Sequence, residues 1–202
     1  MKRIWAPTFA LLMMLAATVV CAAGDPTAIV QQTTDRVLER VRADKTALQS
    51  DPGRMYNLVS ELIFPHFDFA IMSQWVLGDH WSSADEGSRE AFVQQFRKLL
   101  VRTYATALLE FSSQQITYPP IEQKGSGTTA VVRQDISQPG ASIIPIVYRL
   151  HNKTGDWKVF DVSVDGVSLV KTYRASFGSM VKDGGIEGLI ASLDSKNQQY
   201  GN

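Results

Sequence analysis

The chain has 202 residues, 45% of them hydrophobic, with twenty basic and twenty acidic side chains. That length suits one domain with a substantial core. The balanced charge excludes a strongly basic surface of the kind that binds nucleic acid. The one cysteine, Cys21, lies near the N-terminus, so no disulfide is expected in the domain that follows it.

The first twenty-three residues have the pattern of a secretory signal peptide. Lys2 and Arg3 form a basic start, residues 6–20 form an apolar run, and residues 21–23 are Cys-Ala-Ala. The run is shorter than the roughly 20 residues that span a bilayer. Val20 before Cys21 argues against a lipoprotein cleavage site, which needs a small residue there. We expect removal of residues 1–23, a single mature domain of residues 24–202, and a net charge of −2 for eighteen basic against twenty acidic residues.

The first element of the mature chain is predicted to be an amphipathic helix from Pro26 to a break at residues 51–53, Asp-Pro-Gly. Its apolar residues recur at helical spacing and are Ile29, Val37, Val41 and Leu48. Its arginines alternate with acidic residues, which is typical of a solvated face, and are Arg36, Arg40 and Arg42.

Three further helical segments are predicted before the pattern changes. A short helix over residues 54–64 ends at Pro65, and an apolar segment over residues 68–77 ends at Gly78. Residues 83–86, Ser-Ala-Asp-Glu, have capping-box spacing and begin a helix that reaches Phe111. At 1.5 Å per residue it is about 40 Å long, and it either packs only on protein or walls an elongated interior.

From residue 114 onwards, apolar residues recur at every second position. Strands are predicted at residues 115–122, 128–136, 142–150 and 157–164, joined by short turns as an antiparallel meander. Helical spacing returns over residues 167–181 and 186–193, with a break at Gly184 and Gly185. These elements predict an α+β fold with a sheet of about four strands covered by helices.

The last predicted strand has two apolar faces. Strict alternation places Trp157 and Val159 on one face and Phe160, Val162 and Val164 on the other. Antiparallel sheets in small domains usually have one wet face. The second apolar face therefore needs either a helix layer or an apolar ligand.

Catalytic signals are weak. His66, His80 and His151 have no second histidine or cysteine nearby, so no metal site is expected, and no phosphate loop or nucleophile elbow is present. Asp161 is expected to pair with a base such as Arg149 or to cap a backbone, because buried acids are usually paired.

Two alternatives stay open. One is a cone-fold enzyme on a small apolar substrate with an aspartate base and tyrosine donors; its candidate residues are Asp135, Asp161, Tyr148 and Tyr173. The other is a periplasmic adaptor with a solid core.

Four stretches together resemble the MlaC, or toluene-tolerance Ttg2D-type, family of periplasmic phospholipid-binding proteins. They are residues 66–69 (His-Phe-Asp-Phe), residues 75–78 (Trp-Val-Leu-Gly) followed by Trp81, residues 92–104, and above all residues 157–177. The matching residues of the last stretch are Asp161, Gly166, Ser168, Leu169, Tyr173, Arg174 and Phe177.

The resemblance implies a non-enzymatic periplasmic carrier. Such a carrier exchanges phospholipid between an outer-membrane lipoprotein–porin complex and an inner-membrane ABC transporter with a membrane-anchored substrate-binding subunit, and so maintains outer-membrane lipid asymmetry. It also implies a curved, NTF2-like cone with an internal lipid cavity, a helical N-terminal part, and no cofactor apart from the phospholipid cargo.

The physical chemistry agrees with a carrier. Exposing an acyl chain of about sixteen carbons to water costs more than ~10 kcal/mol at about 0.8 kcal/mol per methylene, so a carrier must enclose the tails, whereas the headgroup can stay in water. The predicted pocket wall takes apolar residues from the helices and the sheet: Trp75, Phe96, Leu100, Tyr104, Val147, Trp157, Val159, Val162, Leu169 and Tyr173.

Overall fold

The structure, a computed structural model, describes residues 24–120 and 127–198. The predicted signal peptide, the end of the first predicted strand at residues 121–122 and the last four residues lie outside that part. The helices are α1 (Pro26–Ala43), α2 (Lys45–Ser50), α3 (Pro52–Leu62), α4 (Phe69–Leu77), α5 (Asp79–Ser83), α6 (Glu86–Phe111) and α7 (Leu169–Gln198), with a 3₁₀ turn at Phe64–His66. The strands are β1 (Gln115–Thr117), β2 (Thr129–Ser137), β3 (Ile144–His151), β4 (Lys158–Val164) and β5 (Val167–Ser168).

Aspartates begin four of the helices. Asp25, Asp51, Asp68 and Asp85 each accept a backbone N–H of the first turn, which satisfies donors that a helix end leaves free. The predicted capping box at Ser83 is therefore wrong: Asp85 caps α6, and Ser83 ends the unpredicted short helix α5. The predicted first helix is also two helices, because the chain leaves helical geometry at Asp44.

The sheet confirms the predicted fold class. Its five strands are antiparallel in the order β1-β2-β3-β4-β5 and follow the helical N-terminal part. The short fifth strand was not predicted, because residues 167–168 were assigned to a helix. Asp165 and Gly166 both have positive φ, 49° and 78°, which makes a two-residue hairpin turn and returns the chain to β4 as β5.

A bulge in β4 changes which residues share a face. Arg149 pairs with Asp161 but Leu150 pairs with Val159, so Phe160 is the extra residue. Val159 and Val162, predicted on opposite faces, consequently lie in one apolar cluster. Phe160 instead packs its ring against Trp75, 5.2 Å away.

Three apolar clusters hold the domain together. One joins α4, α6 and α7 through Phe92, Phe96 and their neighbours, and one joins α1, α3 and α6. The third joins Val30 of α1 to the sheet residues Val159 and Val162. The predicted break in the last helix is confirmed at Gly185, whose φ is 70°.

Candidate functional site

An apolar cavity of about 150 Å³ lies between α1, the 3₁₀ turn and the sheet. From the helical side it is lined by Ile29, Val30, Thr33, Thr34, Val37, Leu38, Ile63, His66, Phe67 and Leu108. From the sheet it is lined by Ile116, Gln134, Ile136, Ile146, Tyr148 and Val159. Two larger depressions on α6 are open grooves with polar residues along them, so this cavity is the candidate site for an apolar ligand.

The cavity wall contains one buried polar pair. The Tyr148 hydroxyl donates to Gln134 Oε1 at 2.6 Å, and Gln134 is only 2% exposed. Burial, with a smaller effect of Tyr118, raises the pKa of Tyr148 far above its ordinary value, so this phenol stays protonated. Thr33, Thr34 and His66 also line the cavity, and the Thr33 hydroxyl is buried with no hydrogen-bond partner among the described residues, but most of the lining is apolar.

The size of the cavity limits what it holds in this conformation. Pockets for drug-sized ligands measure about 300–1,000 Å³, and an apolar cavity of about 150 Å³ holds a molecule such as benzene. The present cavity therefore fits a segment of one acyl chain. Two long tails do not fit in a cavity of this volume.

The ten predicted wall residues fall into three places. Val159 lines the cavity, and Trp157, Val162 and Leu169 belong to the same apolar cluster beside it. The half-buried Val147 lies on β3 between Arg133 and Ser163 of the neighbouring strands.

The other five lie on α4, α6 and α7. Phe96, Leu100 and Tyr173 pack in the cluster of those helices, with the Phe96 and Tyr173 rings 5.2 Å apart. Tyr104 is half-buried beside Tyr173, and burial first, then Tyr173, raises its pKa to about 12. Trp75 is 46% exposed. The prediction that these residues contact lipid stays a prediction.

The residues of the enzyme alternative are not assembled into one site. The Ser168 hydroxyl donates to the Asp161 carboxylate and lies 2.8 and 3.0 Å from its two oxygens. The Val170 N–H also donates to this carboxylate, which lies 3.9 Å from Arg149. The expected ion pair and capping role of Asp161 are confirmed. Asp135 pairs with Arg133 at 2.7 Å. Among the described residues, neither carboxylate is hydrogen-bonded to a tyrosine.

The three histidines have separate environments. His151 is buried, and its Nε2 lies 2.9 Å from Asp68 Oδ2 while Lys153 N–H donates to Nδ1, so Nε2 carries the proton. His66 lines the cavity, and burial together with Arg36 and Lys158 lowers its pKa. His80 is exposed. Within residues 24–120 and 127–198 no three metal-ligating side chains converge.

A scan against protein-family models matches residues 31–195 to the MlaC protein family. The chain belongs to the MlaC family. MlaC-family relatives include the intermembrane phospholipid transport system binding protein MlaC of Haemophilus influenzae, 26% identical over 196 residues, which cover 95% of this chain and 91% of that protein. The toluene tolerance protein ttg2D of Pseudomonas putida is 30% identical over 178 residues, which cover 87% of this chain and 82% of that protein.

A solved structure shares the fold of this MlaC-family chain. The phospholipid-binding protein of Ralstonia solanacearum, in complex with a phospholipid, superposes with a TM-score of 0.81 at 30% identity, covering 89% of this chain and all of that one. In the described part of the chain, none of the helices combines the length and the hydropathy that crossing a bilayer requires.

Proposed function

We propose that this chain is a phospholipid carrier that holds acyl tails in the cavity between α1 and the sheet. The observation that carries the proposal is a mostly apolar cavity, with Tyr148 and Gln134 hydrogen-bonded to each other in its wall, in a fold shared with a phospholipid-bound relative. The cargo is the only small molecule that the proposal requires. In the enzyme alternative, the carboxylates of Asp161 and Asp135 are engaged by Ser168, Val170 and Arg133 and not by a tyrosine, so that alternative is not favoured.

The energetics favour opening the cavity for a lipid. Separating Val30, Val37 and Leu38 from their partners costs roughly 5–9 kcal/mol at about 1.5–3 kcal/mol for each buried side chain. Releasing two enclosed tails of about sixteen carbons into water would cost more than ~20 kcal/mol, so a bound lipid keeps the cavity open against that cost. Exchange between a bilayer and the cavity replaces one apolar environment by another, so loading and unloading are both accessible.

The same reasoning extends the proposed site within the sheet cluster. Trp157, Val162 and Leu169 adjoin Val30 and Val159. A cavity that widens to accept a second tail would reach these three residues first.

The names of the relatives support a wider role. We propose that residues 24–202 form one periplasmic domain that exchanges phospholipid between an outer-membrane lipoprotein–porin complex and an inner-membrane ABC transporter. The Haemophilus relative is named for an intermembrane phospholipid transport system, which supports that role. Vesicle-to-vesicle transfer of labelled phospholipid by the purified chain tests the carrier step.

Substitution of two isoleucines provides a matched test of the cavity. Ile146 lines the cavity on β3, and Ile143, three residues earlier, is 56% exposed and lies outside the lining. Ile146→Trp should lower co-purified phospholipid at least several-fold, measured by mass spectrometry of organic extracts, with circular dichroism unchanged. Ile143→Trp should retain the wild-type lipid content. Equal lipid content in the two folded variants would refute the assignment of the cavity.

A further inference from the structure

Basic side chains from three distant parts of the chain lie near one edge of the cavity. His66 of the 3₁₀ turn lines the cavity, and Lys158 at the start of β4 immediately precedes the lining residue Val159. The Lys158 ammonium donates to the carbonyl of Pro65 at 2.6 Å, which fixes it beside His66. Arg36 of α1 is exposed, adjoins the lining residue Val37, and acts electrostatically on the His66 ring.

The acidic residues near this cluster do not neutralise it by direct contact. Asp35 and Glu39 flank Arg36 on α1, and the exposed Asp156 precedes β4. Asp68 is engaged by His151 and by the Ile71 N–H. Among the residues that the structure describes, no carboxylate comes within ion-pair distance of Arg36 or Lys158, and the charges acting on His66 are positive.

These basic groups are suited to a phosphate ester. A guanidinium presents paired donors that match phosphate oxygens, and an ammonium has three donors, of which Pro65 occupies one. An anion bound at this edge would also offset the repulsion between a protonated His66 and the positive charges of Arg36 and Lys158.

We propose that Arg36, His66 and Lys158 bind the phosphodiester of the lipid whose tails occupy the cavity. This inference rests on the proposed function and deepens it, because it replaces a headgroup free in water by one held at the cavity edge. No such cluster is visible along the sequence, since its members are separated by 30 and 92 positions.

The test compares two ligands that share acyl tails. The lipid-free chain is titrated with phosphatidylglycerol and with diacylglycerol of the same tails, which lacks the phosphate. Wild type should prefer the phospholipid about tenfold or more, because charge-assisted hydrogen bonds contribute at least that factor. The preference should shrink as salt screens the exposed charges.

The variant Arg36→Gln/Lys158→Gln should lose the preference while its affinity for diacylglycerol is unchanged. The matched control is Arg40→Gln/Lys153→Gln, which removes the same charge from α1 and from the turn before β4 and should keep the preference. Circular dichroism checks that both variants are folded. If the first variant fails to fold, the salt dependence of the wild-type preference is the test: a preference that does not shrink with added salt would overturn the headgroup site.

The outcomes separate this inference from the proposed function. Equal binding of both ligands by wild type would overturn the headgroup site and leave the carrier intact. Binding of neither ligand would overturn both. Inorganic phosphate at millimolar concentration could also displace bound phosphatidylglycerol as effectively as unlabelled lipid does. That result would assign the cluster to a free anion and overturn the headgroup site.

Discussion

The hydrogen-bonded pair of Tyr148 and Gln134 gives a quantitative test of how the cavity wall is built. The two side chains lie on neighbouring strands, their oxygens are 2.6 Å apart, Gln134 is buried and Tyr148 is half-buried. If each group of the pair serves only as the hydrogen-bond partner of the other, removing one group must lower the free energy of unfolding far more than removing both. Tyr148→Phe, Gln134→Leu and the double variant form the cycle.

The expected magnitudes follow from the burial of the pair. Tyr148→Phe leaves the Gln134 oxygen without a donor, and Gln134→Leu leaves the phenol without an acceptor. Each change should lower the free energy of unfolding by about 1–3 kcal/mol, whereas replacing both partners by apolar groups should be nearly neutral. With a urea slope of about 1–3 kcal/mol per molar, each single variant should shift the midpoint by roughly 1 M.

Urea unfolding of the lipid-free variants, followed by circular dichroism, measures the cycle. The loss of unfolding free energy in the double variant should be smaller than the sum of the two single losses by at least about 1 kcal/mol. It should also keep its lipid content, because it makes the wall more apolar. Additive losses, or a double variant that folds but no longer binds lipid, would refute this reading of the pair and favour a polar group that contacts the ligand.

Two further predictions concern residues outside the cavity. Asp161→Ala should cost about 3 kcal/mol in urea unfolding, because the Ser168 hydroxyl and the Val170 N–H both lose their buried charged acceptor; a loss no larger than that of Ser168→Ala would contradict this role. The pKa of Tyr104 is raised to about 12, so its contribution to stability should be complete below pH ~10 and disappear as the pH rises towards 12. When tyrosinate absorbance is followed against pH, the Tyr104→Phe variant should lack a component that titrates late in the wild type. Loss of only a component near pH 10 would contradict the raised pKa of Tyr104.

Much of the fold could be predicted because the apolar period changes from helical to alternating near residue 114. The failures lie where local geometry breaks the period. The extra residue Phe160 shifts the alternation of β4, and nothing in the residue types marks the bulge. The Asp165-Gly166 pair did carry a signal, since this dipeptide favours a two-residue hairpin, and it could have predicted β5.

The site was less predictable than the fold. Apolar stripes have the same pattern whether they pack on protein or border a cavity, so Phe96 and Val159 looked equivalent although only Val159 lines it. Most helical lining comes from α1, whose half-exposed Thr33 and Thr34 gave no apolar signal. Asp68 was placed beside His66 by sequence, but the fold turns it to His151, 83 residues away.

Photo-crosslinking with a phospholipid that carries a diazirine near the end of one tail tests the central claim most directly. After loading of the wild-type chain, irradiation and peptide mass spectrometry, labels should fall on α1, β2 and β3, with Val37, Ile136 and Ile146 among the modified positions. Labels confined to the α6–α7 region around Phe96, Tyr104 and Tyr173 would contradict a cavity beneath α1.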